Sequence, residues 1–390
     1  MNEDDIYRTS TQFRFWTYTA KALTDLRASS NSLAASRVRD AIKRSREQGS
    51  KSETSTNNAV PEVDCLTVEE EQKLVGWYCT KAMEFCDFSE FPKAVKATAV
   101  QFLKRFYLST SPMTYHPKQM MLSAIYLATK VENFYIGIAE FAKMIPKTTA
   151  DDILAPEFLL TQGLRFTFDV RHPYRSLEGG IMELHEMSRG SYIPPHGSSF
   201  TTEDVRVGIL KVKSHRGKPA TMTPDECAER IKRAHNKAGD ILTKGALLTD
   251  AYFLYTPSQI WMSALLAADK PLAEFYLHII LSGTPNGSVS EPSSLELRLL
   301  SLLEQCAGLM TRSSSRGPDE TETMELKRID KKLYHCRNPE KIDLVGMNKA
   351  VKEGSNGDKV DEEKVVKKRK IERDRAAKEE QDLFGAPLKK

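Results

Sequence analysis

The chain has 390 residues, of which 40% are hydrophobic and 28% charged, and its formal net charge is +4 at pH 7. This length is sufficient for two domains of ordinary size with extensions, while so small a charge excludes a protein that binds nucleic acid over its whole surface. Six scattered cysteines without a Cys-x-x-Cys pair indicate free thiols in a reducing compartment, with neither a disulfide framework nor a metal site.

The first predicted element is a short amphipathic helix over residues 11–26. Its aromatic side chains are Phe13, Phe15, Trp16 and Tyr18. So much aromatic surface near a terminus predicts that this helix packs on something. Residues 45–61 have the Ser, Gly, Asn and Pro content of a linker. We therefore expect residues 1–62 to form an N-terminal helix followed by a polar linker, with no secretory signal.

Five helical segments are predicted within residues 63–170. They cover about 67–87, 92–109, 117–132, 136–145 and 150–166. Thr67 is a good N-cap for the first, and Pro92 and Pro117 suit the first turns of the next two. The third segment is apolar on all sides, which is typical of the central helix of a bundle. Its apolar run is shorter than the roughly 18 residues needed to span a membrane.

The third segment is repeated later in the chain. Residues 115–128 and 255–268 share Tyr, Pro, Gln, Ser, Ala and Ala at identical offsets, without a gap. A match of this kind indicates a duplicated helical domain. Two copies at so long a spacing exclude a solenoid, which needs three or more short repeats.

The second series of helices is predicted within residues 171–312. It covers about 175–189, 224–244, 257–268, 271–281 and 292–311. Residues 190–222, rich in Gly, Pro and Lys, interrupt the series and are expected to be an insertion into one loop. Residues 313–390 are expected to form one helix, at about 319–336, and a charged, mostly disordered tail.

No segment of the chain carries a motif for catalysis. A phosphate-binding glycine loop, the kinase motifs, HExxH and GxSxG are all absent from the sequence. We therefore expect a chain that is not an enzyme and holds no cofactor and no metal.

The two helical series resemble the tandem cyclin boxes of the cyclin family. Three segments, 102–108, 127–132 and 164–169, are similar to the family's motifs in helices 2, 3 and 5. The resemblance covers about residues 11–340, apart from 30–60 and 190–222. It implies an all-α fold of two tandem five-helix cyclin-box bundles with extra N- and C-terminal helices.

Within the family, the likeness is to the cyclins of the CDK-activating kinase in transcription factor TFIIH. It lies in residues 15–18, 115–117, 172–175 and 248–259. This implies a nuclear regulatory subunit that activates a cyclin-dependent kinase by positioning its αC helix. The implied partners are the kinase catalytic subunit, a RING-finger assembly subunit and the TFIIH core, without direct nucleic-acid or membrane binding. Lys104 stands where many cell-cycle cyclins have an Asp, so peptide docking of their type is not expected.

The resemblance also implies the residues that bind the kinase. Lys130 and Glu157 match a Lys and a Glu that reach the kinase backbone beside its αC helix, and Glu132 is a further candidate. Phe134 and Tyr135 fit the core and the interface equally well. The second copy has no counterpart to Lys130 and Glu132, so we expect the first bundle alone to bind the kinase. The N-terminal helix fits either a lid on the second bundle or a kinase contact.

The tail contains a basic cluster. Its members are Lys364, Lys367, Lys368, Arg369 and Lys370. Such a cluster is typical of a nuclear-import signal, although solvated disorder is the alternative. Nucleic-acid binding is not expected, because aromatic side chains are not interleaved with the basic ones.

Two other functions remain open on the sequence. One is a cyclin of another transcriptional kinase. The other is a TFIIB-like DNA-binding factor, which shares the duplicated fold but would need a Cys-rich zinc ribbon and a basic groove. The sequence shows neither of these.

Overall fold

The computed structural model describes residues 7–49, 63–213, 221–282, 294–312 and 320–336, and every regular element in these ranges is helical. The predicted all-α class is therefore confirmed. The chain divides into two compact units. We call Ala20–Phe168 with Pro318–Lys390 the first bundle, and Met1–Thr19 with Asp169–Gly317 the second bundle. None of the described helices is long and apolar enough to cross a membrane.

The helices of the first bundle lie in both of its chain segments. They are α2 (Ala20–Gly49), α3 (Val68–Phe88), α4 (Lys93–Ser109), α5 (Pro117–Val131), α6 (Ile138–Lys143), α7 (Ala150–Leu154), α8 (Glu157–Gly163) and α16 (Glu320–Cys336). The second bundle contains α1 (Thr11–Trp16), α9 (Tyr174–Arg189), α10 (Thr202–Leu210), α11 (Pro224–Asp240), a π-helix (Ile241–Ala246), α12 (Ala251–Leu254), α13 (Pro257–Ala268), α14 (Lys270–Leu281) and α15 (Ser294–Arg312).

Local capping explains where several of these helices begin. Thr67 Oγ1 accepts the Glu70 N–H at 3.2 Å, and the Glu70 carboxylate accepts the Thr67 N–H at 2.9 Å. Thr256 and Gln259 form the same reciprocal pair at the start of α13. His116 caps α5 through its Nδ1 atom. These pairs satisfy N–H groups that have no partner within the helix, so the sequence sets the helix starts locally.

The repeated helix lies at the centre of each bundle, as its apolar surface predicts. In the first bundle α5 contacts α3, α4, α7 and α8, and in the second bundle α13 contacts α9, α11, α14 and α15. Ser123 of α5 is buried and donates to the Ile153 carbonyl oxygen at 2.6 Å. Small side chains let the surrounding helices approach closely, and this fixes the positions of the helix ends that reach the surface.

The predicted helix over residues 11–26 is two helices in different bundles. Helix α1 is a lid on the second bundle, where Gln12 accepts the Arg171 N–H at 2.7 Å and Tyr18 donates its N–H to the Phe253 carbonyl at 2.8 Å. Helix α2 then runs to Gly49, into the segment expected to be a linker. The Arg, Glu and Gln there favour a helix about as well as Leu, so polar composition alone was a poor guide.

Residues 190–222, expected to be an insertion into one loop, contain a helix that the sequence analysis did not predict. Helix α10 lies inside this range and begins with a Thr201–Asp204 capping box. Its Val205 and Ile209 side chains are fully buried, and the helix packs on α9 and α14. The prolines and glycines that suggested a loop flank a nine-residue helix, too short for its apolar period to stand out.

The predicted C-terminal helix exists and packs on α3 of the first bundle. Its Ile329 and Leu333 side chains are buried. Glu70 of α3 pairs with Arg328 at 2.6 Å and with Lys332 at 2.9 Å. The basic cluster proposed for nuclear import lies outside the described residues.

A candidate partner-binding surface on the first bundle

Lys130 and Glu157 meet on the surface of the first bundle. Lys130 lies in the last turn of α5, and Glu157 is the first residue of α8. The Lys130 ammonium and the Glu157 carboxylate form an ion pair whose side chains are 44% and 20% exposed. The structure thus brings together two residues that are far apart in the sequence, in a pair that remains open to solvent.

The Tyr126 ring contacts the Lys130 side chain of this ion pair. Lys130 Nζ lies 4.7 Å from the centre of the Tyr126 ring, within the range of a cation–π interaction. Burial raises the pKa of the Tyr126 hydroxyl, and the nearby Glu157 carboxylate and Tyr135 raise it further. The side chains of Tyr126, Tyr135 and Glu157 therefore lie close to Lys130. The exposed ammonium and carboxylate stabilise each other, and the Tyr126 ring also stabilises the ammonium.

Close packing holds α8, and with it Glu157, against the bundle. A Cβ atom at Gly163, the last residue of α8, would lie 2.5 Å from Cδ2 of Phe106. Leu160, one turn earlier, is fully buried. A glycine is therefore required for α8 to approach α4 this closely.

Phe134 and Tyr135 divide between the two interpretations that the sequence left open. The Phe134 ring is half-buried and packs 5.3 Å from the Phe91 ring, so this side chain contributes to the core. The Tyr135 side chain is 95% exposed. An aromatic residue exposed to this degree next to an ion pair is typical of a surface that binds another protein.

Glu132 has a partner within the bundle. Its Oε1 atom accepts a hydrogen bond from Thr98 Oγ1 at 2.5 Å, and its N–H donates to the Ala128 carbonyl at the end of α5. The side chain is half-buried. This geometry joins α4 to the end of α5, so Glu132 acts as a structural residue more than as a free contact.

Phe158 was missed by the sequence analysis and belongs to the same surface. It follows Glu157 directly, and 65% of its surface is exposed. Successive residues of an α-helix are rotated by about 100°, so Phe158 points away from the buried Leu160. The angle between Phe158 and Leu160 around the helix axis follows from their spacing in the sequence, which therefore could have identified Phe158 as an exposed aromatic residue.

The second bundle differs from the first at the equivalent helix end. Asp269 lies between α13 and α14 and pairs with Arg230, while Lys270 begins α14 and pairs with Glu304 at 2.7 Å. An exposed Lys–Glu pair is therefore present in both bundles, which the sequence comparison did not indicate. The exposed aromatic side chains beside Glu157 distinguish the two surfaces better than the charges do.

The exposed face of α3 is partly covered by the C-terminal helix. Lys73 pairs with Glu325 of α16 at 3.4 Å, and Leu74 lies in one cluster with Ile329 and Leu333. The C-terminal helix therefore occupies part of the α3 surface, and the absence of a docking groove for substrate peptides stays a prediction. In the described ranges, no group of three or more His, Cys, Asp or Glu side chains could hold a metal ion.

The family models, relatives and solved structures that are similar to this chain indicate one family. The model of the cyclin N-terminal domain matches residues 48–169, and that of the cyclin C-terminal domain matches residues 172–311. Cyclin CCL1 of Saccharomyces cerevisiae is 28% identical over 366 residues, covering 87% of this chain and 83% of that protein. Cyclin-H1-1 of Arabidopsis thaliana is 30% identical over 276 residues, covering 70% and 68%. A chain in the structure of the CAK complex from Chaetomium thermophilum bound to ATP-gamma-S has a TM-score of 0.69 at 29% identity, covering 93% of this chain and 99% of that one.

Proposed function

The chain belongs to the cyclin family, and we propose that it is the regulatory subunit of a CDK-activating kinase. Its likeness to cyclin H proteins and to a chain of a CAK complex supports this assignment. The partner is a cyclin-dependent kinase catalytic subunit. The chain supplies no catalytic group and acts by changing the conformation of that kinase.

The observation that carries the proposal is the surface around the Lys130–Glu157 ion pair. It combines a cation and a carboxylate with the exposed rings of Tyr135 and Phe158. Buried aromatic side chains supply much of the binding energy at protein interfaces, each burying about 150–250 Å². Charged groups instead set the register and suppress wrong partners. The aromatic residues therefore provide affinity, and the ion pair provides alignment with the kinase backbone.

The mechanism is the stabilisation of one kinase conformation. The first bundle packs against the mobile αC helix of the kinase and holds it where the catalytic Lys–Glu pair forms. Shifting a kinase from almost wholly inactive to almost wholly active takes about 5.5 kcal/mol of differential binding. One exposed ion pair contributes at most about 1 kcal/mol. The complex must therefore bury a large apolar area, on the order of 2,000 Å² or more.

Further partners follow from the same assignment. A RING-finger assembly subunit and the TFIIH core are the expected companions of such a kinase, and transcription by RNA polymerase II and cell-cycle control are its expected processes. The chain then acts in the nucleus, with the basic cluster at 364–370 as the import signal. A fusion of residues 337–390 to a fluorescent protein tests the signal, because loss of nuclear accumulation on neutralising that cluster is the expected result.

Binding to the kinase tests the aromatic surface. The double variant Tyr135→Ala, Phe158→Ala should weaken binding to the kinase at least tenfold, because each aromatic anchor at an interface contributes about 1–2 kcal/mol or more. Met182→Ala is the matched control, since Met182 is also 65% exposed but lies in the second bundle. Equal retention of the kinase by both variants in a calibrated pull-down would refute the assignment of the surface.

Exchanging the two charges distinguishes a role of the ion pair in aligning the kinase from a role in the folding of the first bundle. Lys130→Glu combined with Glu157→Lys preserves an ion pair within the bundle but presents reversed charges to the kinase. We expect a small decrease in the unfolding temperature, because Glu at position 130 loses the cation–π contact with Tyr126 and both exchanged charges oppose the helix dipoles. Kinase activation should fall strongly, by far more than this loss of stability explains. Normal activation by this variant would show that the pair has only a structural role.

Identification of the bound kinase by mass spectrometry after a pull-down from nuclear extract distinguishes the CDK-activating kinase from other transcriptional kinases. A gel-shift assay with the purified chain addresses the TFIIB-like alternative. Sequence-specific DNA binding without the kinase would favour that alternative.

A further inference from the structure

Two cysteines lie together where the C-terminal helix docks on the first bundle. Cys65 lies in the extended segment before α3, and Cys336 is the last residue of α16. Cys65 packs against the buried cluster that contains Cys336. The docking of α16 thus brings together two cysteines from distant parts of the chain.

Hydrogen bonds hold both sulfur atoms near the segment before α3. Cys336 Sγ donates to the carbonyl oxygen of Asp64, the residue before Cys65, at 3.1 Å, and Cys65 Sγ donates to the Ala35 carbonyl oxygen at 3.9 Å. The Cys336 sulfur is therefore held against the backbone next to Cys65. Formation of an S–S bond requires the Cys65 side chain to turn away from the Ala35 carbonyl.

The docking of α16 keeps this arrangement in place. Lys332, one turn before Cys336, donates to the Asp64 and Glu70 carboxylates at 2.8 and 2.9 Å. The Leu333 side chain is 1% exposed and packs in the same apolar cluster as Cys336. The closeness of the two cysteines is thus supported by both ionic and apolar contacts of the helix that carries Cys336.

Only one of the two thiols can be reached from solvent. Cys65 lines an open groove of about 540 Å³ between α2 and the segment before α3, together with Arg39. All six cysteines lie in the described residues, and Cys65 is the single one that is not buried. Cys336 is fully buried behind it. A small oxidant would therefore meet Cys65 first, with Cys336 as the neighbouring thiol.

We propose that Cys65 and Cys336 are a redox-modification site, at which a hydroperoxide converts the two thiols into a disulfide that ties α16 to the first bundle. The Cys65 thiolate attacks the peroxide oxygen, forming a sulfenic acid and releasing water or an alcohol. The Cys336 thiolate then attacks the Cys65 sulfur, the S–S bond forms, and the sulfenic oxygen leaves as water. Two thiols lose two electrons and two protons, and the hydroperoxide gains them.

The ionisation of the thiols sets the rate of this reaction. Burial raises the pKa of Cys65, although Arg39 and Lys332 oppose the effect, and burial raises the pKa of Cys336 to about 11. Few thiolates are therefore present at pH 7, and the pair reacts more slowly than a dedicated peroxide sensor. In a reducing compartment it rests as two thiols, and a dithiol reductant restores it after oxidation.

Oxidation of the full-length chain tests the site. After treatment with hydrogen peroxide and blocking of free thiols, trypsin should release residues 52–73 linked to residues 333–337. The intact mass should fall by about 2 Da, because two hydrogens are lost. The rate should rise about tenfold per pH unit between pH 7 and 8.5, following the thiolate fraction.

Three variants make the result specific. Cys65→Ser and Cys336→Ser should each abolish the linked peptide, whereas Cys306→Ser, at a buried free thiol of the second bundle, should leave it unchanged. In Cys336→Ser, Cys65 should accumulate a sulfenic acid that dimedone traps, which also shows that the variant retains an accessible Cys65. A Cys65 linked between two chains, or a Cys65 sulfinic acid with Cys336 still free in the parent chain, would overturn the proposal.

Discussion

Replacing Arg230 with alanine is expected to destabilise the second bundle, because this side chain joins three of its segments. Its guanidinium donates to both carboxylate oxygens of Asp269, at 2.7 and 2.8 Å, and to the carbonyl oxygens of Val212 and Lys213, at 2.9 and 3.0 Å. The Arg230 and Asp269 side chains are only 8% and 14% exposed. Alanine would leave an acceptor-only carboxylate and two carbonyl groups without their shared donor.

The size of the effect follows from these contacts. Removing one member of a buried ion pair costs about 3–5 kcal/mol, mainly because the other charge stays behind without a partner. Asp269 retains the Leu272 N–H, which it accepts at 3.2 Å as the N-cap of α14. We therefore expect the lower end of that range, about 3 kcal/mol. Arg230→Lys should recover only part of it, since an ammonium cannot serve a carboxylate and two carbonyls in the same plane.

Denaturant unfolding of the full-length chain measures the loss. Of the three tryptophans, Trp16 and Trp261 lie in the second bundle, so fluorescence in a Trp77→Phe background reports on that bundle. Arg206→Ala is the matched control, because its pair with Glu203 lies on the surface of the same bundle. If Arg230→Ala unfolds at the same denaturant concentration as Arg206→Ala, the buried ion pair does not stabilise the second bundle by the expected value of about 3 kcal/mol.

Two further predictions concern the first bundle. Burial raises the pKa of the Glu71 carboxyl to about 7 from its ordinary 4.5, although Ser111 donates a hydrogen bond to it. The folded state therefore binds this proton more tightly than the unfolded state does. As a result, the free energy of unfolding falls as the pH rises from about 4.5 to 7. Glu71→Gln should remove on the order of 3 kcal/mol of that pH dependence in urea titrations at pH 5 and 8, and an unchanged dependence would contradict it. Gly163→Ala should cost about 1–3 kcal/mol because its Cβ would lie 2.5 Å from the Phe106 ring. Gly76→Ala, with nothing within 4 Å of the added Cβ, should stabilise by about 0.5–1 kcal/mol, and thermal unfolding of both variants checks the contrast.

Much of the fold could be predicted because the signals are local. A proline in the first turn and a capping side chain fix the start of a helix within four residues, as Thr256 and Pro257 do for α13. The sequences of α5 and α13 are apolar on all sides, and this alone predicts that each helix lies at the centre of its bundle, without knowledge of the helices around it. Helix α10 has a local start signal of the same kind, the Thr201–Asp204 capping box, but its nine residues are too few to show an apolar period. The end of α2 was missed because its composition is polar.

The candidate site required more than local patterns. Lys130 and Glu157 belong to different helices, and only the family resemblance linked them before the structure showed their contact. The division of roles between Phe134 and Tyr135 depends on which ring reaches Phe91, which adjacent positions in a sequence do not reveal. Phe158 was accessible to sequence reasoning through its phase relative to Leu160. The pairing of Lys270 with Glu304 was not, since it joins two separate helices.

The two bundles differ in the chain that follows their central helices. The central helices share small buried residues, including Ser123 and Ser263, because close packing of the surrounding helices requires them in either copy. After the central helix the copies diverge: α5 ends at Val131 and the chain continues to the exposed Tyr135, whereas α13 ends at Ala268 and α14 begins almost at once. Since a core residue cannot change without loss of packing, the surface beyond the central helix is where one copy could acquire a partner while both kept the same fold.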